Sequence, residues 1–176
     1  RLVTGAGFFT DDVNLQGQLY AAFYRSPYAH ARLKSVQLDE ARGSPDVVAV
    51  YTGAELVSLG ALPCRAQLTD ARGNPCFIPR RAALAEDKVL FVGQAIVAVV
   101  AESRQAARDA VELVDVDFEP LDAVISVEPS VADGAPILHD ELGHNVCVHF
   151  ERGDAEEVST AMRGAAHIVN ISVINN

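Results

Sequence analysis

The chain has 176 residues, of which 49% are hydrophobic and 22% are charged, and its formal net charge is −10. This composition is typical of a soluble globular domain with a sizeable core, and the excess of acidic side chains disfavours binding to nucleic-acid phosphates or anionic lipids. No run approaches the roughly 20 apolar residues that span a bilayer, so no transmembrane segment is predicted.

The first half of the chain predicts short strands separated by turns. Apolar or β-branched runs that stop at Ser26 and Gly53 indicate strands at Leu19–Arg25 and Val47–Thr52, and imperfect alternation indicates another strand at Ala31–Leu38. Leu33 and Val36 fall out of phase with strict alternation, which indicates a bulge or an edge position in the second strand. Gly53 ends the third strand, and a short turn of helix is predicted at Ala54–Val57.

Residues 58–81 contain three prolines and no sustained hydrophobic period, which predicts a long excursion between ordered elements. Loops of this length usually bind, cover or contact something. Cys64 and Cys76 lie in this excursion. Together with Cys147 they form an odd set without CxxC spacing, which indicates neither a disulfide framework nor a zinc knuckle and favours a reducing cytoplasm.

Ordered structure is predicted to resume after residue 87. Strands are indicated at Lys88–Val92 and Ala95–Ala101, on either side of a turn at Gly93. Ser103 is the expected N-cap of a helix whose narrow face of small apolar residues packs on a sheet. Val114–Glu119 alternates apolar with acidic residues, which predicts a half-buried strand, and this mixture of elements predicts an α+β fold.

A domain boundary is predicted near residue 125, where prolines and glycines loosen the pattern. Beyond it the sequence predicts a strand at Val146–Phe150, a helix from Asp154 through Met162, and a strand at His167–Val173. The last strand has no successor to pair with, and the chain opens on Arg1 without an initiator Met. We therefore expect a segment of a longer protein.

Two groups of residues near the N-terminus invite a chemical interpretation. Gly5-Ala6-Gly7 has the spacing of a partial dinucleotide fingerprint, but it lacks the preceding strand, the third glycine and the following helix, so a plain turn is favoured. Asp11, Asp12 and Asn14 offer oxygen ligands to Ca²⁺, but they lack the calcium-loop pattern, so an Asx turn is favoured.

Two further groups lie in the body of the chain. In His139-Asp140-Glu141-Leu142-Gly143-His144 the histidines are five apart, whereas a helical zinc motif needs them four apart. A polar turn is favoured there, and the alternative is a small zinc hydrolase built on His139, Glu141, His144 and His149. Arg25–Arg32 places two guanidiniums and an imidazole between two strands, which suits an anion, although a satisfied turn that pins strand to strand is favoured. The residues alone therefore assign no catalytic, cofactor-binding or metal-binding position.

A series of motifs runs along the chain in order. They are Arg1-x-x-Thr4-Gly5-x-Gly7, Gly17-Gln18-Leu19-Tyr20-Ala21-Ala22-Phe23, Arg25-Ser26-Pro27-Tyr28-Ala29-His30-Ala31-Arg32, residues 47–56, residues 87–94, residues 97–102, residues 106–110 and residues 116–121. In this order they resemble the start of the large, molybdenum-binding subunit of the xanthine dehydrogenase, aldehyde oxidase and aerobic carbon monoxide dehydrogenase family. Gln94-Ala95 departs from the Glu-Pro that the family often carries, and residues 64–76 do not align with it.

The resemblance implies a lead-in at residues 1–16, an α/β hammerhead domain at 17–124, and the truncated beginning of a mixed α/β molybdopterin-binding domain at 125–176. It implies that this segment is a structural scaffold that carries none of the family's catalytic or pterin-binding residues. The 58–81 excursion is expected to line part of the substrate entrance. A stand-alone interaction module that shares the hammerhead fold is the alternative from another class.

For the parent protein, the resemblance implies a bacterial, cytoplasmic oxidoreductase. It would hydroxylate carbon with water-derived oxygen, or oxidise carbon monoxide, at a molybdenum-pterin centre. The implied small-molecule substrates are carbon monoxide, an aldehyde, a purine or another heterocycle. The segment itself would bind no cofactor, and its partners would be the remaining molybdenum domain of the same chain together with iron-sulfur and FAD-containing subunits.

Overall fold

The computed structural model describes residues 2–66, 68–70 and 72–173, which form two compact units. The first unit contains residues up to Arg65 together with Ile78–Asn145, and the second contains Ala66–Phe77 together with the residues from Val146 onward. Arg1, with which the quoted motifs begin, lies outside the described residues. The predicted division into residues 1–16, 17–124 and 125–176 stays a prediction.

Strands of the first unit build two antiparallel sheets of three strands each. The strands are β1 Tyr20–Arg25, β2 Ala31–Gln37, β3 Val47–Thr52, β4 Lys88–Val89, β5 Ala95–Ala101 and β6 Asp115–Pro120. The first sheet has the order β1-β5-β3, and the second has the order β4-β2-β6. The turn between β1 and β2 therefore carries the chain from the edge of one sheet into the centre of the other.

Helices are short in both units. The α-helices are α1 Asp39–Arg42, α2 Arg104–Glu112, α3 Val127–Ser130 and α4 Ala155–Arg163, and 3₁₀ turns occupy Leu2–Thr4, Thr10–Asp12 and Ala54–Leu59. Ser103 caps α2 by accepting a hydrogen bond from the Ala106 N–H at 3.1 Å. Asp154 caps α4 in the same way, accepting from the N–H groups of Glu156 and Glu157. Both caps were predicted from the sequence and are confirmed.

The core lies around β5 and α2. Ile96, Val97 and Val99 of β5 are at most 1% exposed, as expected for a strand with neighbours on both sides and a helix against it. Ala107 and Ala110 of α2 are equally buried, and their small side chains let the helix backbone approach β1 and β5 closely. The α+β class and the predicted strands at β1, β2, β3 and β5 are confirmed. The predicted bulge is also present, since the register of β2 against β6 shifts between Leu33 and Ser35.

Three strand predictions need correction. The strand predicted at Lys88–Val92 ends at Val89, because the Leu90 N–H bonds to the Gln94 side chain at 2.7 Å and the chain turns there. The strands predicted at Val146–Phe150 and His167–Val173 are wrong, because neither segment forms a strand or joins either sheet among residues 2–66, 68–70 and 72–173. Alternation of apolar residues marks a chain suited to pairing, but a strand forms only where a partner supplies the ladder.

The excursion at residues 58–81 is partly ordered. At its base the Leu62 N–H donates to the Arg81 carbonyl at 2.8 Å. In the second unit, Thr69 and Pro75 form an antiparallel bridge around a tight turn. The Asp70 carboxylate accepts the N–H groups of Arg72 and Asn74 and the Asn74 side chain, and the last of these is the main reason why the pKa of Asp70 lies below its ordinary value.

Gly53 provides a test of backbone packing in the first unit. A Cβ at this position would lie 2.3 Å from the Ala85 carbonyl oxygen, which belongs to a buried backbone and cannot move aside. Gly53→Ala is therefore expected to lower the free energy of unfolding by about 1–3 kcal/mol in urea denaturation.

Gly164→Ala is the matched control. Its Cβ would meet no atom closer than 3.7 Å, and its φ of −87° suits any residue, so stability should be retained. Equal stability of the two variants would show that the backbone contact at Gly53 is not a constraint.

Candidate functional site

The turn between β1 and β2, residues 26–30, is where the sequence concentrates hydrogen-bonding groups, and its two end residues, Ser26 and His30, are buried. Ser26 is 3% exposed; its hydroxyl donates to the Tyr28 carbonyl at 2.8 Å and accepts the Tyr28 N–H at 3.0 Å. The backbone of Ser26 donates to Gln94 and accepts from Gly93, at 2.9 and 2.8 Å. These bonds join the end of β1 to the start of β5 and leave the hydroxyl engaged within its own turn.

His30 forms the other end of this turn and is 6% exposed. Its Nδ1 lies 2.7 Å from the Asp122 carbonyl oxygen, and its own carbonyl accepts the Leu121 N–H at 3.0 Å. Because a carbonyl can only accept, Nδ1 carries the proton in this contact. Nε2 is closed off from solvent and has no hydrogen-bond partner among the described residues. His30 thus anchors the segment that follows β6 and does not present a reactive nitrogen at the surface.

The two arginines that flank the turn interact with different parts of the first unit. Arg25 donates to the Gly93 carbonyl at 2.9 Å, and its guanidinium lies 5.5 Å from the centre of the Phe23 ring. Arg32 is exposed on β2 and acts electrostatically on Asp140. The structure therefore uses Arg25 to close the turn and Arg32 in a second cluster, as the satisfied-turn interpretation predicts.

The second cluster joins the loop at residues 139–145 to the second sheet. Lys88, whose side chain is only 12% exposed, holds the Asp140 carboxylate at 3.0 Å. This hydrogen bond, followed by the charge of Lys88 and those of Arg32 and His30, keeps the pKa of Asp140 below its ordinary value. Asn145 fixes the same loop by donating to the carbonyls of Ser130 and Pro136 and by accepting the Leu138 N–H.

These partners could not be found from the sequence. Asp122 is 92 residues from His30, and Asp140 is 52 residues from Lys88. Lys88 is the first residue of a predicted strand and lies in the motif at residues 87–94, whereas Asn145 lies in none of the motifs, and neither position predicts its partner. The pairing of β2 with β4 and β6 places Asp122 beside His30 and Lys88 within the second sheet, whereas Asn145 bonds to Ser130, Pro136 and Leu138 of its own loop region.

The remaining candidates have structural roles. Gly5 adopts a left-handed turn, which is in keeping with the plain turn favoured over nucleotide binding. Asp12 accepts the Phe9 N–H at 2.8 Å and caps a 3₁₀ turn, while Asn14 donates to the Asp12 carbonyl at 3.4 Å. Asp11 pairs with Arg104 at 2.8 Å, and the hydrogen bond from that arginine lowers the pKa of Asp11.

The histidine cluster does not assemble a zinc centre in the part of the chain that the structure describes. There, no group of three His, Cys, Asp or Glu side chains converges on a point that a metal ion could occupy. His139 faces Glu141 at 4.0 Å, and His149 meets Glu151 at 2.9 Å. His139 and His149 belong to different compact units. The zinc-hydrolase alternative is not favoured.

Comparison with known proteins identifies the family. The model of the aldehyde oxidase and xanthine dehydrogenase a/b hammerhead domain matches residues 4–122. The chain belongs to this family. The predicted resemblance and the hammerhead fold are confirmed, and the stand-alone module is not favoured.

Relatives of this hammerhead chain are large subunits. It is 36% identical over 168 residues to the carbon monoxide dehydrogenase large chain of Afipia carboxidovorans, a match that covers 89% of the chain and 20% of that protein. It is 38% identical over 170 residues to the nicotine 6-hydroxylase large subunit of Paenarthrobacter nicotinovorans, covering 97% of the chain and 20% of that protein. The chain therefore spans about a fifth of the length of these relatives.

A solved structure supports the fold assignment. The crystal structure of a Cu,Mo-CO dehydrogenase in its carbon monoxide reduced state is similar with a TM-score of 0.76 and 34% identity, over 95% of the chain and 21% of that protein. The hammerhead chain thus matches molybdenum-dependent oxidoreductases in both sequence and structure. Among its described residues, no helix is long and apolar enough to cross a membrane.

The His30 anchor is testable by truncation. His30→Ala should lower the free energy of unfolding by about 3 kcal/mol, because it leaves a cavity in a buried turn and deprives the Asp122 carbonyl of its donor. Tyr28→Phe is the control: the hydroxyl that it removes makes no hydrogen bond with a described residue, so chemical denaturation should show little change. A His30→Ala variant as stable as Tyr28→Phe would contradict the anchoring role.

The Lys88–Asp140 pair predicts a pH dependence. A carboxyl group whose folded pKa is lowered contributes stability above its ordinary pKa and loses that contribution as the pH falls through the folded pKa. Lys88→Met keeps the buried stem and should move the NMR-measured pKa of Asp140 up towards its ordinary value. The gap in melting temperature between wild type and variant should close on acidification. The pKa of Asp70, set within its own turn, should stay unchanged, and a parallel shift there would indicate a general rearrangement.

Proposed function

We propose that this chain is the hammerhead scaffold of the large subunit of a molybdenum-dependent hydroxylase or dehydrogenase. The observation that carries the proposal is the match of residues 4–122 to the hammerhead domain, together with relatives that are themselves large subunits. The parent enzyme would oxidise a small molecule such as carbon monoxide, an aldehyde, a purine or another heterocycle. It would work with iron-sulfur and FAD-containing partners in the cytoplasm.

We propose that the described residues hold no molybdenum-pterin group of their own. They contain no converging group of three ligating side chains. The buried polar side chains Ser26 and His30 are bonded to nearby backbone, and the free Nε2 of His30 is closed off from any ligand. Of the three arginines in the two surface grooves, Arg42 and Arg104 are paired with carboxylates, and Arg108 is exposed on α2. We therefore propose that the cofactor is held by other parts of the parent enzyme.

The proposed work of this chain is positioning. After β6 the backbone is tied to the hammerhead at two points: Asp122 by His30, and Asp140 by Lys88. Asn145 fixes the loop that contains the second point. These contacts fix the path of residues 121–145 relative to the second sheet. Residues 121–145 would in turn support the part of the parent enzyme that packs against them. The excursion at residues 58–81 would line part of the substrate entrance, which is supported by its length and exposure.

The proposal predicts the metal content and activity of the intact enzyme. The large subunit, expressed from its full reading frame with its neighbouring subunits, should contain about one molybdenum per large chain. It should reduce an artificial electron acceptor with at least one of carbon monoxide, an aldehyde, a purine or a pyridine. Elemental analysis and a dye-reduction assay measure the two quantities on one preparation.

Growth with tungstate in place of molybdate is the control, and it should abolish turnover while the subunits still assemble. Stoichiometric zinc without molybdenum would contradict the proposal. Deletion of residues 68–76 tests the entrance role: kcat/KM should change more for a bulky heterocycle than for carbon monoxide or a small aldehyde. Equal values before and after deletion would refute it.

A further inference from the structure

The two edges of the first sheet are protected differently. At the β3 edge, Arg42 and Glu55 form an ion pair at 3.0 Å beside residues 47–50. Glu55 also accepts the N–H and the hydroxyl of Thr52, at 2.7 and 3.0 Å, and the backbone N–H is the main cause of its lowered pKa. Charged side chains fixed across an edge oppose the addition of another strand. The groove here is also small, about 320 Å³.

The β1 edge borders a larger groove, of about 510 Å³. One wall is formed by five consecutive residues, 18–22, which include the first half of β1. In the ladders of the described residues β1 pairs with β5 alone, so the outward N–H and C=O groups of this strand have no ladder partner. The opposite wall is built by the lead-in segment and α2, and consists of Thr10, Asp11, Val13, Arg104 and Arg108.

The two arginines that α2 contributes to the groove differ in whether they have a partner. Arg104 is committed to Asp11 and also lies 5.5 Å from the centre of the Tyr20 ring. Arg108, one helical turn further on, is exposed and makes no hydrogen bond or ion pair with any residue that the structure describes. Leu19 and Val13 are 46% and 39% exposed beside it and offer apolar contact. The groove thus combines an open strand edge, apolar flanks and one uncommitted guanidinium.

We propose that the outer edge of β1 receives an extended segment of a partner subunit, which adds as a further strand and places an Asp or Glu carboxylate on Arg108. Strand addition uses backbone hydrogen bonds for affinity and side-chain contacts for specificity, and an arginine at the groove selects an acidic residue. A second copy of this chain is a poor occupant, because two chains with a net charge of −10 repel each other. The inference rests on the proposed function, which supplies the partner subunit.

A photo-crosslinking residue locates the occupant in the assembled enzyme. Placed at Leu19, beside the open edge, it should crosslink to an extended segment of a partner subunit that contains Asp or Glu, as identified by mass spectrometry. The control probe at Val48, which is 53% exposed on the opposite edge of the same sheet, should not capture that segment. Crosslinks from Leu19 only to the large subunit itself, or to no chain, would overturn the inference.

Charge reversal tests the role of Arg108 in the same complex. Arg108→Glu should weaken the affinity of the large subunit for the captured partner roughly tenfold, with no change in melting temperature, because the side chain is exposed. Arg152→Glu makes the same change at another exposed position and should leave affinity unchanged. Replacing the captured carboxylate by Lys should restore binding to Arg108→Glu.

Unchanged affinity in Arg108→Glu would refute the carboxylate contact. Molybdenum content and turnover of the wild-type preparation separate the two proposals. A molybdenum-containing, active complex without the Leu19 crosslink overturns this inference alone, whereas a large subunit that assembles without molybdenum and without activity overturns the proposed function.

Discussion

The turn between β1 and β2, which begins and ends at the buried residues Ser26 and His30, is the constraint on which the first unit depends. Its two ends are bonded to the backbone of different sheets: Ser26 to the residues that begin β5, and His30 to the residues that follow β6. The hydrogen bonds of the buried Ser26 hydroxyl and His30 Nδ1 matter because leaving such a group unpaired costs about 1–3 kcal/mol. A single five-residue turn therefore sets where the first sheet closes and where the chain leaves the second.

Much of this fold could be predicted because its signals are local. Serine follows β1 and glycine follows β3, and Ser103 and Asp154 are the N-caps of their helices. The break in alternation at Leu33 coincides with a register shift in β2. The incorrect strand predictions concern segments that could form a strand only beside a neighbouring strand, which the sequence does not identify. Residues 146–150 and 167–173 have the alternation of strands, yet neither segment joins a sheet in the described part of the chain. Intrinsic strand preference is weak compared with the ladder itself.

The candidate site could be predicted only in part, for a related reason. The sequence located the dense polar turn at Arg25–Arg32 and favoured a satisfied turn over an anion site, and the structure agrees. It could not identify Asp122 or Asp140 as partners, since each bonds to a residue of the second sheet or its adjoining turn across a long stretch of chain. Asn145 was missed because its bonds form within a loop that has no periodic pattern. The histidines were candidates because imidazole is a common metal ligand, but a metal site also requires that several ligating side chains meet at one point.

The two edge strands of the first sheet differ in how their outer edges are protected. An edge strand exposes unpaired backbone groups, which is a hazard unless the edge is blocked or occupied. At β3 the Arg42–Glu55 pair and the bonds to Thr52 block it. At β1 the analogous pair, Arg104 with Asp11, forms one wall of a wider groove and leaves Arg108 unpaired within the described part of the chain. The open β1 edge lies beside the unpaired Arg108 in a chain with a net charge of −10. This combination is better explained by a bound segment of a partner subunit than by contact with solvent alone.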